Sequence, residues 1–125
     1  MKRRSFLQRE AESFACALHG IAGLLRGEPH ARVHLAATAI VAALGWWFGI
    51  GPGEWIAVIL AAGLVWTAEA LNTAIEYVAD LAHPDEHPEV KKLKDLAAAA
   101  VLFASLAALA VGLIVFVPRL CAAAP

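Results

Sequence analysis

The chain has 125 residues, 61% of them hydrophobic and 17% charged, with a formal net charge of −1. That apolar share exceeds what soluble domains carry and excludes a disordered chain. The charge balance argues against a nucleic-acid partner, which requires a basic face, and the length allows a single domain. Cys16 and Cys121 form no CxxC pair and no metal-binding spacing. Cys121 stands fifth from the end, so the closing Cys-Ala-Ala-Ala-Pro is not a prenylation box.

The start, Met1-Lys2-Arg3-Arg4, is basic, but Gln8, Arg9, Glu10 and Glu12 interrupt any apolar core of a cleavable signal. Over residues 1–30, Phe6, Phe14, Leu18, Ile21 and Leu25 recur at mostly helical spacing among charged residues. This predicts an amphipathic helix lying in the membrane interface, with a helix packed on loops as the plainer alternative. Three apolar runs then follow at about 33–50, 55–76 and 96–117. Each approaches the roughly 20 residues a helix needs to cross a bilayer. Gly51-Pro52-Gly53 predicts a very short hairpin between the first two, and Pro84 and Pro88 a longer polar loop before the third.

Nine of the ten basic residues precede the first run or lie between the second and third. Lys2, Arg3, Arg4, Arg9, Arg26 and Arg32 form one group, Lys91, Lys92 and Lys94 the other, and Arg119 stands alone. Positive charge favours the inside, which predicts a cytoplasmic N-terminus and an external C-terminus. Trp46, Trp47 and Trp55 then cluster at the outer hairpin, where an interfacial belt is expected.

The second run does not end as an inert span. At about 100° per residue, Asn72, Glu76 and Asp80 fall at roughly 300°, 340° and 20° from Glu69, so all four share one stripe. A carboxylate at membrane depth is costly, and two on one stripe repel each other unless a cation lies between them. Oxygen ligands point to Mg²⁺ or to a cationic partner. The plainer reading, a helix emerging into water, suits Asp80 far better than Glu69. Glu28 before the first run and Lys94-Asp95 before the third add a carboxylate and an ammonium on the same side, although a boundary lysine often serves only as an anchor. Such a set can hold a metal, a polyphosphate and an acceptor hydroxyl. There is no Walker loop and no protein-kinase motif set. The run His83-Pro84-Asp85-Glu86-His87 reads as a solvated linker in preference to a metal site.

The segment Glu69-Ala70-Leu71-Asn72-Thr73-Ala74-Ile75-Glu76, followed by Asp80, resembles the E-x-x-N-T/S-A-I-E-x-x-x-D signature of the bacterial membrane diacylglycerol kinase family, which includes the undecaprenol kinases. The segment from Lys94-Asp95 to Leu102 resembles its second signature, K-D-x-A-A-G-A-V-L, and the likeness extends over residues 14–118. His34 and Glu54-Trp55 look more like the undecaprenol kinase branch. His30 stands where that branch commonly has asparagine, Ala99 replaces a usual glycine and Ala79 a common valine.

The resemblance implies one all-α integral membrane lipid-kinase domain over 1–125, three transmembrane helices plus the surface helix, assembled as a homotrimeric bundle. So thin a chain could hardly bury an intramembrane polar stripe alone. It also implies a bacterial cytoplasmic (inner) membrane location and ATP-dependent phosphorylation of a lipid alcohol. Carried onto matching positions, Glu69 is the general base. Glu28 and Glu76 hold Mg²⁺, Asn72 and Lys94 orient the phosphoryl group, Asp95 lies toward the nucleoside and Arg9 toward the lipid. Two readings from other classes are a small multidrug or proton-coupled transporter using Glu69 and a structural assembly subunit.

Overall fold

A computed structural model describes residues 5–85 and 87–123. Residues 1–4 with their three basic side chains, Glu86 of the histidine-flanked loop, and residues 124–125 lie outside them. The described chain is four helices: α1 (Phe6–Gly27), α2 (Pro29–Phe48), α3 (Pro52–Ala82) and α4 (Pro88–Ala123). Among the described residues there is no strand.

Local chemistry sets each boundary. Ser5 and Gln8 exchange side-chain and backbone hydrogen bonds in a capping box that opens α1. Extended Glu28 ends α1 and precedes Pro29, whose ring suits the first turn of α2. The carbonyls left free at the end of α1 are taken up by Arg32, which donates to Leu25 at 3.0 Å and Arg26 at 2.7 Å. At the far end of α2, Gly49 adopts φ 58°, a left-handed cap that closes on Gly45 and Trp46.

Proline opens three of the four helices, and this moves the boundaries outward from those the apolar runs predict. Pro88 begins α4 and does not lie in a long loop, so Lys91, Lys92 and Lys94 stand on the first turns of that helix. Helix α4 also continues past Pro118 to Ala123. Beside that proline, Arg119 Nη1 donates back to the Val115 carbonyl at 2.6 Å.

The last three helices are long and apolar enough to cross a membrane, which makes the chain a multi-pass membrane protein. At 1.5 Å per residue, α2 spans about 30 Å, and α3 and α4 about 46 and 54 Å. A hydrocarbon core of about 30 Å cannot contain the last two, so their ends project into polar surroundings. Helices α3 and α4 pack most extensively, with α2 laid against both. From Glu54 to Asp80 is 26 residues and from Lys94 to Arg119 is 25, and the ion pairs Glu54–Arg119 and Asp80–Lys94 close the two ends. The antiparallel register therefore holds over the whole length.

The apolar core sits at the hairpin end: Ile50, Val58, Val115 and Phe116 are buried, with Val41, Leu44, Phe48, Trp55 and Val111 around them. Trp55 departs from the predicted belt. It packs inward, its ring so close to Gly45 that a Cβ there would lie 2.7 Å from it. Trp46 and Trp47 do face outward, 80% and 85% exposed. Helix α1 buries nothing, and its Phe6, Phe14, Leu18 and Ile21 are all exposed.

Candidate functional site

The site lies at the other end, where α3 and α4 outrun their apolar lengths. Glu69 stands about 21 Å along the axis from Trp55, and Glu76 about 32 Å. Across a core of about 30 Å, the first falls inside and the second at its edge. Glu69 is 4% exposed. Its Oε2 faces His34 Nε2 of α2 at 3.7 Å, an ion-pair separation somewhat long for a hydrogen bond. One turn on, the Asn72 amide donates to Glu76 Oε1 at 2.8 Å. The Asn72 carbonyl oxygen is buried with no hydrogen-bond partner. Such an orphan forfeits its hydration without return.

Asp80 emerges into the open as the plainer reading expects, and there it is bonded to Lys94 of α4. Lys91 and Asp95, one turn apart on α4, make a second exposed pair at 2.6 Å. The two pairs border a cleft of about 620 Å³ lined by Asp80, His83, Asp85, His87, Lys94 and Asp95, among others. His83 and His87 stack at 5.4 Å between ring centres, 27° apart in plane, and His87 Nδ1 accepts the Glu89 amide at the start of α4. Sequence reasoning set this loop aside as a linker. Its one visible signal was the placing of two histidines around a proline, four residues apart; their stacking needed both helix ends.

The structure thus brings together Glu69, Asn72 and Glu76 along α3, and Lys94 and Asp95 beside Asp80. Glu28 sits half-buried at the α1–α2 junction, and that junction touches α3: a Cβ at Gly27 would lie 3.7 Å from the Tyr77 hydroxyl, next to Glu76. Nothing joins Glu28 directly to Glu76. Arg9 is exposed near the start of α1 and meets none of the others. Among the described residues no three His, Cys, Asp or Glu side chains gather into a group that could hold a metal. An apolar groove of about 370 Å³ among α2, α3 and α4 runs from Gly112 and Val58 to His34 and Val65.

Arg119 is the residue that sequence reasoning missed. Read as a lone outer charge, it makes a two-pronged bond to Glu54, at 2.8 and 2.7 Å. Glu54 also accepts the Gly51 amide at 2.8 Å. An apolar turn before the arginine gave no hint of its partner 65 residues away.

Comparison with known proteins agrees with this arrangement. Residues 15–116 match the family described as prokaryotic diacylglycerol kinase. The chain is also 36% identical over 117 residues to the undecaprenol kinase of Bacillus subtilis (strain 168), covering 94% of this chain and 95% of that protein. With the polar stripe of α3 and the Lys94-Asp95 start of α4 inside the matched region, the chain belongs to the prokaryotic diacylglycerol kinase family of membrane lipid kinases.

Proposed function

We propose that the chain transfers the γ-phosphoryl group of ATP to the hydroxyl of a membrane lipid alcohol, undecaprenol or diacylglycerol, at the cytoplasmic face of the bacterial inner membrane. The observation that carries this is Glu69. It is a carboxylate 4% exposed on a spanning helix, one turn from an Asn72–Glu76 pair that leaves a buried oxygen unpartnered. Polar groups are not kept at that depth without a use. The proton-coupled transporter reading uses Glu69 alone and leaves the Lys94-Asp95 cleft without a role.

In this reading the lipid hydroxyl oxygen attacks the γ-phosphorus while Glu69 takes its proton. The new O–P bond forms, the bond to ADP breaks, and the proton rests on the carboxylate. Asn72 and Lys94 orient and neutralise the phosphoryl oxygens, and Lys94 exchanges its Asp80 partner for phosphate as ATP enters. Asp95, His83 and His87 line the cleft as the nucleoside side, and Arg9 steadies the lipid from the surface helix. Phosphoryl transfer is chiefly positioning and charge neutralisation, which these residue types supply.

Glu28 and Glu76 would hold Mg²⁺. The fit is good in kind: both offer hard oxygen donors, and the Asn72 oxygen, on the residue bonded to Glu76, is unpartnered. Two carboxylates leave room for ATP phosphates to complete the ligand set. When bound, the ion neutralises developing charge on the polyphosphate.

Three further parts belong to the same proposal. Helix α1 rests its exposed Phe6, Phe14, Leu18 and Ile21 in the cytoplasmic interface, leaving the N-terminus inside and the C-terminus outside. The chain self-associates as a homotrimer, covering faces that one copy leaves bare. Undecaprenol is preferred, on the strength of His34, Glu54-Trp55 and the name of the Bacillus relative. Competition for radiolabelled ATP, with both lipids in the same micelles, tests this last point. Tenfold better use of diacylglycerol would overturn it.

The central test is Glu69→Gln, which keeps size and hydrogen bonding but removes the proton acceptor. Turnover should fall by about 10²–10⁴-fold, the usual worth of a general base, with ATP affinity nearly unchanged. A variant that keeps its turnover but loses ATP binding would make Glu69 a metal ligand instead.

A further inference from the structure

His34 is the one titratable side chain in α2 beyond Arg32, and α4 carries none between Asp95 and Arg119. On α3 the nearest titratable neighbours of Glu69 are Glu54 and Glu76. Among the described residues of α2, α3 and α4, then, His34 is the one basic group at the depth of the buried carboxylate. His34 Nε2 stands 3.7 Å from Glu69 Oε2, with the His34 side chain 19% exposed and that of Glu69 5%.

The imidazole is held there by a chain of contacts. Trp66 sets its ring edge-on to His34, centroids 6.5 Å apart at 68°. The Trp66 indole donates to Thr38 Oγ1 at 3.1 Å, and the Thr38 hydroxyl donates to the His34 carbonyl at 2.7 Å. Trp66 and Glu69 lie three residues apart on α3 and so share a face. A helix-to-helix bond from α3 to α2 therefore fixes where the imidazole stands relative to the carboxylate. A histidine that merely filled space in an apolar layer would not need its backbone turn and its ring both anchored.

We infer that His34 is a positioning residue for Glu69, its Nε2–H directed at Oε2 so that the other carboxylate oxygen is turned toward the lipid hydroxyl. This rests on the reading of Glu69 as the base. Proton abstraction depends on placement to a fraction of an ångström, and an error of about 1 Å can cost a hundredfold. A carboxylate in an apolar layer without any donor would also be poorly held. The imidazole, 3.7 Å away, supplies orientation and an electrostatic neighbour short of a full hydrogen bond. No proton need pass to the imidazole for the step to balance; the proton from the lipid stays on Glu69.

The test compares His34→Ala with His34→Gln, whose amide N–H reaches the place of Nε2, in micelles offering undecaprenol, diacylglycerol and ATP. His34→Ala should lower kcat about ten- to a hundredfold while the KM for ATP stays within twofold, which also reports an intact nucleotide cleft. His34→Gln should recover most of the loss. In the Glu69→Gln background, removing His34 should cost nothing more, because the group it positions is gone. Unchanged kcat in His34→Ala, equal losses in the two His34 variants, or additive losses in the double variant would each overturn the inference while leaving Glu69 as base. A Glu69→Gln enzyme with near-normal turnover would remove the base assignment and this inference with it.

Discussion

The two ends of the α3–α4 pair are closed by the same kind of bond and are built for opposite purposes. At the hairpin end, Arg119 grips both oxygens of Glu54, the Gly51 amide and the Val115 carbonyl complete the knot, and the apolar cluster around Phe116 lies against it. At the other end Lys94 meets Asp80 alone, on side chains 35% and 62% exposed, beside an open cleft. Among the described residues, Glu54 and Arg119 at the first end are both engaged, whereas α3 toward the second keeps an unpartnered oxygen and a buried carboxylate. Close packing and a two-pronged ion pair are concentrated at the hairpin end, and the unpartnered polar oxygen stands toward the other.

That contrast can be broken from either side. The largest effect should follow Phe116→Ala, which removes an aromatic side chain from the core cluster. A loss of about 3 kcal/mol is expected, the low end for such truncations, because lipid and not water surrounds the bundle. Chemical unfolding in detergent would measure it, and the KM for ATP of the surviving fold should be unchanged. Next comes Glu76→Gln at the opposite end. Losing one charged oxygen ligand costs about 1.5–3 kcal/mol, or roughly ten- to a hundredfold in the Mg²⁺ and ATP requirements together. The unfolding midpoint should not move. Wild-type ATP dependence in that variant would remove Glu76 from the proposed metal site.

Smaller changes sharpen the comparison. Gly49→Ala forces a side chain into the left-handed cap of α2, at a cost of about 1 kcal/mol at the hairpin end. Asp80→Asn should cost less than 1 kcal/mol of stability, since exposed pairs contribute little. It should leave turnover within a few-fold by freeing Lys94 for phosphate. Arg119→Ala, measured beside it, should lower the unfolding midpoint by more than Asp80→Asn does. Equal effects from the two would show that the ends are not built differently after all.

Much of the candidate site was legible along the chain because it is written on one helix. Glu69, Asn72 and Glu76 share a face of α3 by periodicity alone, and the structure adds the Asn72–Glu76 bond and the burial of Glu69. The three apolar runs likewise became three spanning helices, because a segment with no water around it must satisfy its own backbone. Helix ends were less legible. Proline reads as a breaker until its place in the first turn is known, so Pro88 looked like loop and is the start of α4.

What sequence determined by itself is therefore whatever depends on local order: spans, the polar stripe, and membership of a family through its two signatures. Only the tertiary structure decided what meets across helices. It paired Arg119 with Glu54 over 65 residues, turned Trp55 inward onto Gly45, raised the histidine loop into the wall of a cleft, and set His34 against Glu69. The physical reason is the same in each case. Spacing along one helix fixes which side chains share a face, but the neighbour that face meets depends on the register between helices, and no short stretch of sequence contains it.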